Sequence, residues 1–155
     1  YITVIPTNLY GPGDNFDPMM SHVAPAMMRR MIEARDTRAP KVEIWGTGKP
    51  RRELMFVDDA ADAIAFVLER YSAAEPINIG IGVDVSIREL AERIAQVVGY
   101  QGDLAFDPSK PDGAPRRMVD NSRLSALGWH ARTPLAEGLD GMYRWYCKHK
   151  VDVAA

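Results

Sequence analysis

Strand-like and helix-like runs alternate along the chain, and that alternation narrows the architectures open to it. Residues 1–5 form a β-branched run of the kind found in a buried strand. Lys41 to Trp45 alternates polar and apolar as a half-buried strand does, and residues 53–57, 77–80 and 103–106 are further short strand candidates. Between them lie helical stripes. Val23, Ala26, Met27, Met31 and Ala34 recur at three- and four-residue spacing after the loop 11–18. Val57, Ala60, Ala61, Ile64, Val67, Leu68 and Tyr71 do the same, with Asp58 or Asp59 as cap and Pro76 beyond the end. Ser86 and Glu89 have capping-box spacing for a helix that turns Ile87, Leu90, Ala91, Ile94 and Val97 inward and stops at Gly99. Thr133 and Pro134 open a last helix through Leu135, Leu139, Met142, Tyr143 and Tyr146. Strands alternating with helices predict an α/β fold.

Composition removes several classes of function. The 155 residues are 46% hydrophobic and 26% charged, ordinary globular usage, and no repeat or long linker divides them, so one domain or lobe over 1–155 is expected. A net charge of −2, without Lys/Arg runs, leaves no footprint for general nucleic-acid binding. No apolar stretch reaches the length of about 18 residues that spans a bilayer. Cys147 stands alone, so neither an internal disulfide nor a multi-cysteine zinc site is expected, and a reducing cytoplasm fits best. The chain opens inside its first strand without Met, which predicts the C-terminal part of something longer.

A dinucleotide-binding lobe carries a glycine-rich turn between strand and helix. Gly11-Pro12-Gly13 and Gly46-Thr47-Gly48 lack the third glycine and the helix, so both read as ordinary turns. Zinc-hydrolase, esterase and P-loop motifs are absent as well. Nothing in these residues forms a self-sufficient catalytic apparatus.

Five residues do not behave like scaffolding. At about 100° per residue from Val23, Arg30 falls at the centre of the apolar stripe, whereas Arg29 points out. An inward guanidinium calls for an anion, either a ligand's phosphate or an internal carboxylate such as Glu33 or Asp62; the alternative is a long stem snorkelling out of the stripe. His22, at the start of that helix, suits proton transfer at neutral pH, or serves as a capping or packing residue. Trp45 and Arg52 flank a turn and offer a flat ring beside a cation; the alternative is a core tryptophan with a solvated arginine. Asp112 can accept bonds from sugar hydroxyls or hold a turn. Cys147 reads as structural, and Asp58 and Asp59 as caps.

Pro6-Thr7-Asn8-Leu9-Tyr10-Gly11-Pro12, Ser21-His22-Val23, Arg29-Arg30, Trp45-Gly46-Thr47-Gly48, Arg52-Glu53 and Val57-Asp58-Asp59 together resemble the extended short-chain dehydrogenase/reductase superfamily. Asn15-Phe16 leading to Ser21-His22, and Ser109-Lys110-Pro111-Asp112-Gly113, resemble its NADP-dependent 3,5-epimerase/4-reductases of GDP-4-keto-6-deoxy-mannose. The likeness runs from residue 1 to about residue 147. It implies that residues 1–10 belong to a Rossmann sheet, with Pro6, Thr7, Asn8 and Leu9 along the nicotinamide end of NADP. The remainder then builds mostly the smaller substrate-binding lobe. It also implies His22 as an acid/base residue of the epimerisation and Arg30, Trp45, Arg52 and Asp112 as GDP-sugar contacts, in an enzyme that is commonly a homodimer. The family's cysteine, serine, Tyr-x-x-x-Lys pair and glycine-rich loop are expected upstream of Tyr1; Cys147 lies in a different motif. Two other readings stay open, a 4-epimerase or 4,6-dehydratase of the superfamily and a non-catalytic nucleotide-sugar-binding module.

Overall fold

The computed structural model describes residues 1–153, with side chains through His149. In chain order the first elements are β1 (Val4–Pro6), β2 (Asn8–Tyr10), α1 (Val23–Asp36), β3 (Lys41–Trp45), β4 (Arg51–Arg52), β5 (Leu54–Phe56) and α2 (Val57–Arg70). They are followed by β6 (Ile77–Ile79), β7 (Val85–Ser86), α3 (Ile87–Val98), β8 (Asp103–Asp107), β9 (Arg116–Arg117), α4 (Ser122–Ala126) and α5 (Leu135–Val153). Three parallel pairs form, β1 with β6, β2 with β5 and β3 with β8. In addition, β4 lies between antiparallel β7 and parallel β9. Parallel strands need long crossovers, here helices, so the fold is α/β as the alternation predicts.

Successive strand residues face opposite sides, and β5 uses this to divide the interior. Leu54 joins a core built from α1, β3, α3 and α5. Met55 joins a second core with Ala60, Ala63 and Val67 of α2, Ile77 and Ile79 of β6, and Leu124 and Trp129. Ile2 and Val4 pack against this second core.

The best-specified helix is α3. Ser86 Oγ accepts from the Glu89 amide at 3.1 Å, Glu89 Oε2 accepts from the Ser86 amide at 2.7 Å, and Gly99 ends the helix at φ 73°. Ser86→Ala is expected to destabilise the fold by about 1 kcal/mol, read as a lower urea midpoint at unchanged slope. An unmoved midpoint contradicts the capping account.

Several expectations fail for identifiable reasons. Residues 1–5 are not a buried strand: Ile5 is 46% exposed and Tyr1 fully so, because β1 has a partner strand on one side only. Helix α2 begins at Val57 with Phe56 at the cap position, so neither Asp58 nor Asp59 caps it. Asp59 is instead buried, its carboxylate accepting the amides of Arg132 and Thr133 at 3.3 and 3.0 Å. That contact rolls α2 so that Ala60, Ala63 and Val67 face in, while Ala61, Ile64 and Leu68 face out. Val98 is buried in addition to Val97, which packs half-buried against the core. Cys147 is exposed.

Helix α1 carries the most consequential correction. Its buried residues are Ala24, Pro25, Met27, Met28, Met31, Ile32 and Ala34, a face rotated by about 100° from the one read in the sequence. Arg30 is therefore exposed on the flank rather than central in the stripe. The apolar residues of the helix spread over a broad arc that packs against both β3 and α3, so the periodicity alone does not select the buried face.

Candidate functional site

The loop between β2 and α1 is shaped by its own side chains. Gly11 lies against α2, where an added Cβ would meet Val57 Cγ1 at 2.7 Å, so only glycine fits. Asn15 Oδ1 accepts from the Asp17 amide at 2.8 Å, and Asp17 Oδ1 accepts from Met19 and Met20 at 2.7 and 3.1 Å. Phe16 anchors the loop in the core against the rings of Tyr146 and Trp145, at centroid distances of 4.5 and 6.2 Å. Arg29 donates to the Phe16 carbonyl at 3.0 Å. This scaffold ends at His22, the N-cap residue of α1. Its imidazole makes no capping hydrogen bond, and the residue lines two adjoining cavities.

A cleft of about 350 Å³ is lined by Thr7, Asn8, Leu9, His22, Arg52 and Arg117, among others. It adjoins a second cleft of about 270 Å³, lined by Arg30, Trp45, Arg52 and Asp112 over an apolar floor of Val23, Ala26, Met27, Ile44 and Ile87. Arg52 and Val23 belong to both. Four residues singled out in the sequence thus share one cleft, and Arg52 links them to His22 and to the 7–9 segment. Pro6 is exposed at the end of β1 and lies outside both clefts.

The guanidiniums of this groove are held by carbonyls. Arg52 Nη1 donates to the carbonyls of Arg51 and Ala114, both at 2.8 Å, and Arg30 donates to that of Glu43. Among the described residues Arg30, Arg52 and Arg117 pair with no carboxylate. Burial, and then the nearby charge of Arg117, lower the Arg52 pKa from its ordinary value. Clustered cations oriented by carbonyls and free of counter-ions suit a phosphorylated ligand. Their neighbours behave oppositely. Arg51 and Arg116 both bond to Asp84 and hold its carboxyl below the usual carboxylate range. The split follows from strand geometry, since β4 and β9 pair Arg51 with Arg116 and Arg52 with Arg117.

Trp45 is 63% exposed, which removes the core-tryptophan alternative, and the Lys110 ammonium lies 5.8 Å from its ring centroid. Asp112 does hold a turn, accepting from the Thr47 amide at 2.6 Å and the Thr47 hydroxyl at 2.8 Å. A carboxylate offers about four lone-pair sites, so these two bonds leave room for a hydroxyl donor.

Three residues of the site escaped the sequence reading. Arg117 sits in an Arg116-Arg117 pair that matches Arg51-Arg52, with which it lies in register. Asp14 shares a cavity with His22. Glu53 is fully buried beneath the groove, and its carboxylate accepts the amides of Ile81, Gly82 and Val119 at 2.7, 2.8 and 2.9 Å. Its carbonyl accepts from Asn8 Nδ2 at 3.0 Å and from Thr7 Oγ1 at 3.4 Å, fastening the 7–8 segment to β4 and β5. Burial pushes the Tyr10 hydroxyl pKa up, and its O–H donates to the Leu135 carbonyl at 3.4 Å.

Parallel strands joined by crossover helices make an α/β protein, and the chain belongs to the NAD dependent epimerase/dehydratase family, whose model matches residues 1–80. Within that family it is 53% identical over 148 residues to GDP-L-fucose synthase 1 of Arabidopsis thaliana, covering 96% of this chain and 46% of that protein. It is 48% identical to the GDP-L-fucose synthase of Escherichia coli K12, covering 97% and 50%. The crystal structure of a GDP-L-fucose synthetase from Naegleria fowleri bound to NADP superimposes with a TM-score of 0.93 at 28% identity, covering 99% of this chain and 49% of that one. The chain spans about half the length of the curated relatives it matches. No helix among the described residues is long and apolar enough to cross a membrane.

Proposed function

We propose that this chain is the GDP-sugar-binding portion of an enzyme that epimerises GDP-4-keto-6-deoxy-D-mannose at C3 and C5 and reduces C4 with NADPH, giving GDP-L-fucose. The observation that carries the reading is the shared cleft of Arg30, Trp45, Arg52 and Asp112, continuous through Arg52 with His22. The names of relatives near 50% identity supply the substrate. In this reading Trp45 stacks on the base, Arg52, Arg30 and Arg117 hold the diphosphate, and the sugar reaches the end formed by His22 and residues 7–9. A 4-keto group acidifies the hydrogens at C3 and C5, so an imidazole at that end can take or return a proton there.

The residues present fit one end of a nicotinamide cofactor. Pro6 and Leu9 are exposed, while Thr7 and Asn8 are fastened through Glu53, giving a rigid wall at the sugar end of the groove. The cofactor, when bound, supplies the hydride that reduces C4. We place its glycine-rich loop and the Tyr-x-x-x-Lys pair in an N-terminal lobe outside these 155 residues, with residues 1–10 as the strand joining it and the remainder mostly substrate-binding. The absence of a glycine-rich dinucleotide turn from this sequence supports that division.

Thermal unfolding tests the reading. GDP-mannose at a hundredfold excess over its dissociation constant stabilises the fold by about 2.7 kcal/mol, and UDP-glucose at equal concentration protects far less. Arg52→Ala and Trp45→Ala each remove most of the protection. Equal protection by both nucleotide sugars, or protection untouched by either substitution, contradicts it.

A further inference from the structure

We propose that Asp14 is a positioning residue for His22, its carboxylate facing the imidazole across a small cavity and favouring the charged ring. The inference rests on the acid/base reading of His22. The cavity, about 260 Å³, lies at the junction of β2 and α1 and shares Leu9 and His22 with the sugar cleft. Its titratable lining is Tyr10, Asp14 and His22, set among Leu9, Gly11 and Val57.

The two carboxylate oxygens of Asp14 are used differently. Oδ1 accepts from the Asn15 amide at 2.8 Å, which fixes the rotamer. Oδ2 is shielded from solvent and is the one buried side-chain nitrogen or oxygen among the described residues that has no hydrogen-bond partner. A shielded, unmatched acceptor costs about 1–3 kcal/mol, so the loop holds it in place against a penalty. The Asp14 amide bonds the Gly11 carbonyl at 3.3 Å, and Phe16 pins the next residues in the core. Burial pushes the Asp14 carboxyl up, while His22 pulls it down, so the two groups feel each other's charge.

The charges around His22 explain the arrangement. From β4 and β9, Arg52 and Arg117 line the sugar cleft together with His22, and like charges of this kind oppose an imidazolium. Tyr10, from β2, is kept neutral by burial. Asp14, from the loop, is the anion lining the adjoining cavity with His22.

The experiment is an NMR titration of the His22 Cε1–H in the 155-residue protein, assigned with His22→Asn against His130 and His149. Asp14→Asn keeps the Oδ1 acceptor for Asn15 and removes only the charge. It is expected to lower the His22 midpoint by about one pH unit, and Asp14→Glu to restore most of it. In the full-length enzyme Asp14→Asn moves the acid limb of solvent-deuterium exchange at C3 and C5 to lower pH, with KM for the GDP-sugar unchanged. An unmoved His22 midpoint overturns the pairing. Exchange that survives His22→Asn overturns the acid/base reading, and the role of Asp14 with it, even where the midpoint has moved.

Discussion

His22→Asn in the full-length enzyme is expected to slow solvent-deuterium incorporation at C3 and C5 of the GDP-sugar by about 10²–10⁴-fold, the usual contribution of a positioned acid/base group. Binding of GDP-mannose should change little, because the cations and the aromatic ring lie beyond His22 along the groove, around Arg52. Arg30→Ala is expected to behave the other way, weakening binding while the exchange rate at saturation stays close to that of the parent. The contrast follows from position. His22 leaves its imidazole unbonded at the tip of α1 beside the 7–9 segment, and Arg30 sits on the flank of the same helix with its guanidinium at the Glu43 carbonyl. Equal and small effects from both substitutions undo the assignment.

Glu53→Ala should be the most damaging single change to the fold. The substitution strips the acceptor from three backbone amides, those of Ile81, Gly82 and Val119. Each buried donor left unmatched costs about 1–3 kcal/mol, so the sum is about 3–9 kcal/mol, a large share of a total that is about 5–15 kcal/mol for a domain. Gly80 offers no relief, because its backbone already approaches so closely that an added Cβ would lie 2.6 Å from Glu53 Oε1. Glu53→Gln can keep the acceptor for Ile81 and Gly82 but turns an amide N–H toward the Val119 N–H, so it should fall between the parent and alanine. Urea unfolding of the three proteins gives the order directly. A midpoint for Glu53→Ala close to the parent's shows that the three bonds contribute nothing net. The consequence for function is local: the backbone carbonyl to which Thr7 and Asn8 donate survives the substitution, but residue 53 loses the side-chain bonds that hold it at the end of the groove.

The sequence was most readable where a local rule acts alone. The Ser86 and Glu89 spacing predicts the start of α3 and Gly99 its end, because capping is decided within one turn. The alternation in Lys41–Trp45 likewise predicts β3, whose burial alternates residue by residue. Reading failed where tertiary packing chose between faces. Helices α1 and α2 are apolar on more than one side, and contacts made far along the chain, such as Asp59 with Arg132 and Thr133, selected the buried one. The two-residue strands β4, β7 and β9 have no periodicity to read, yet they turn Arg52 and Arg117 to the cleft. Arg30 was singled out for an inward angle it does not have, and it reaches the same cleft from the helix flank. Glu53 and Asp14 were invisible because their roles are defined by amides and cavities that only the folded chain assembles.

An NMR titration of the isotopically labelled protein with GDP-mannose tests the central claim most directly. The account predicts saturable shifts of the Trp45 indole N–H, of the Arg30 and Arg52 side-chain N–H groups, and of backbone amides from His22 to Met27 and around Asp112. Shifts confined to the larger cleft around Arg93, His130 and Arg132, or no saturable shifts at all, contradict it.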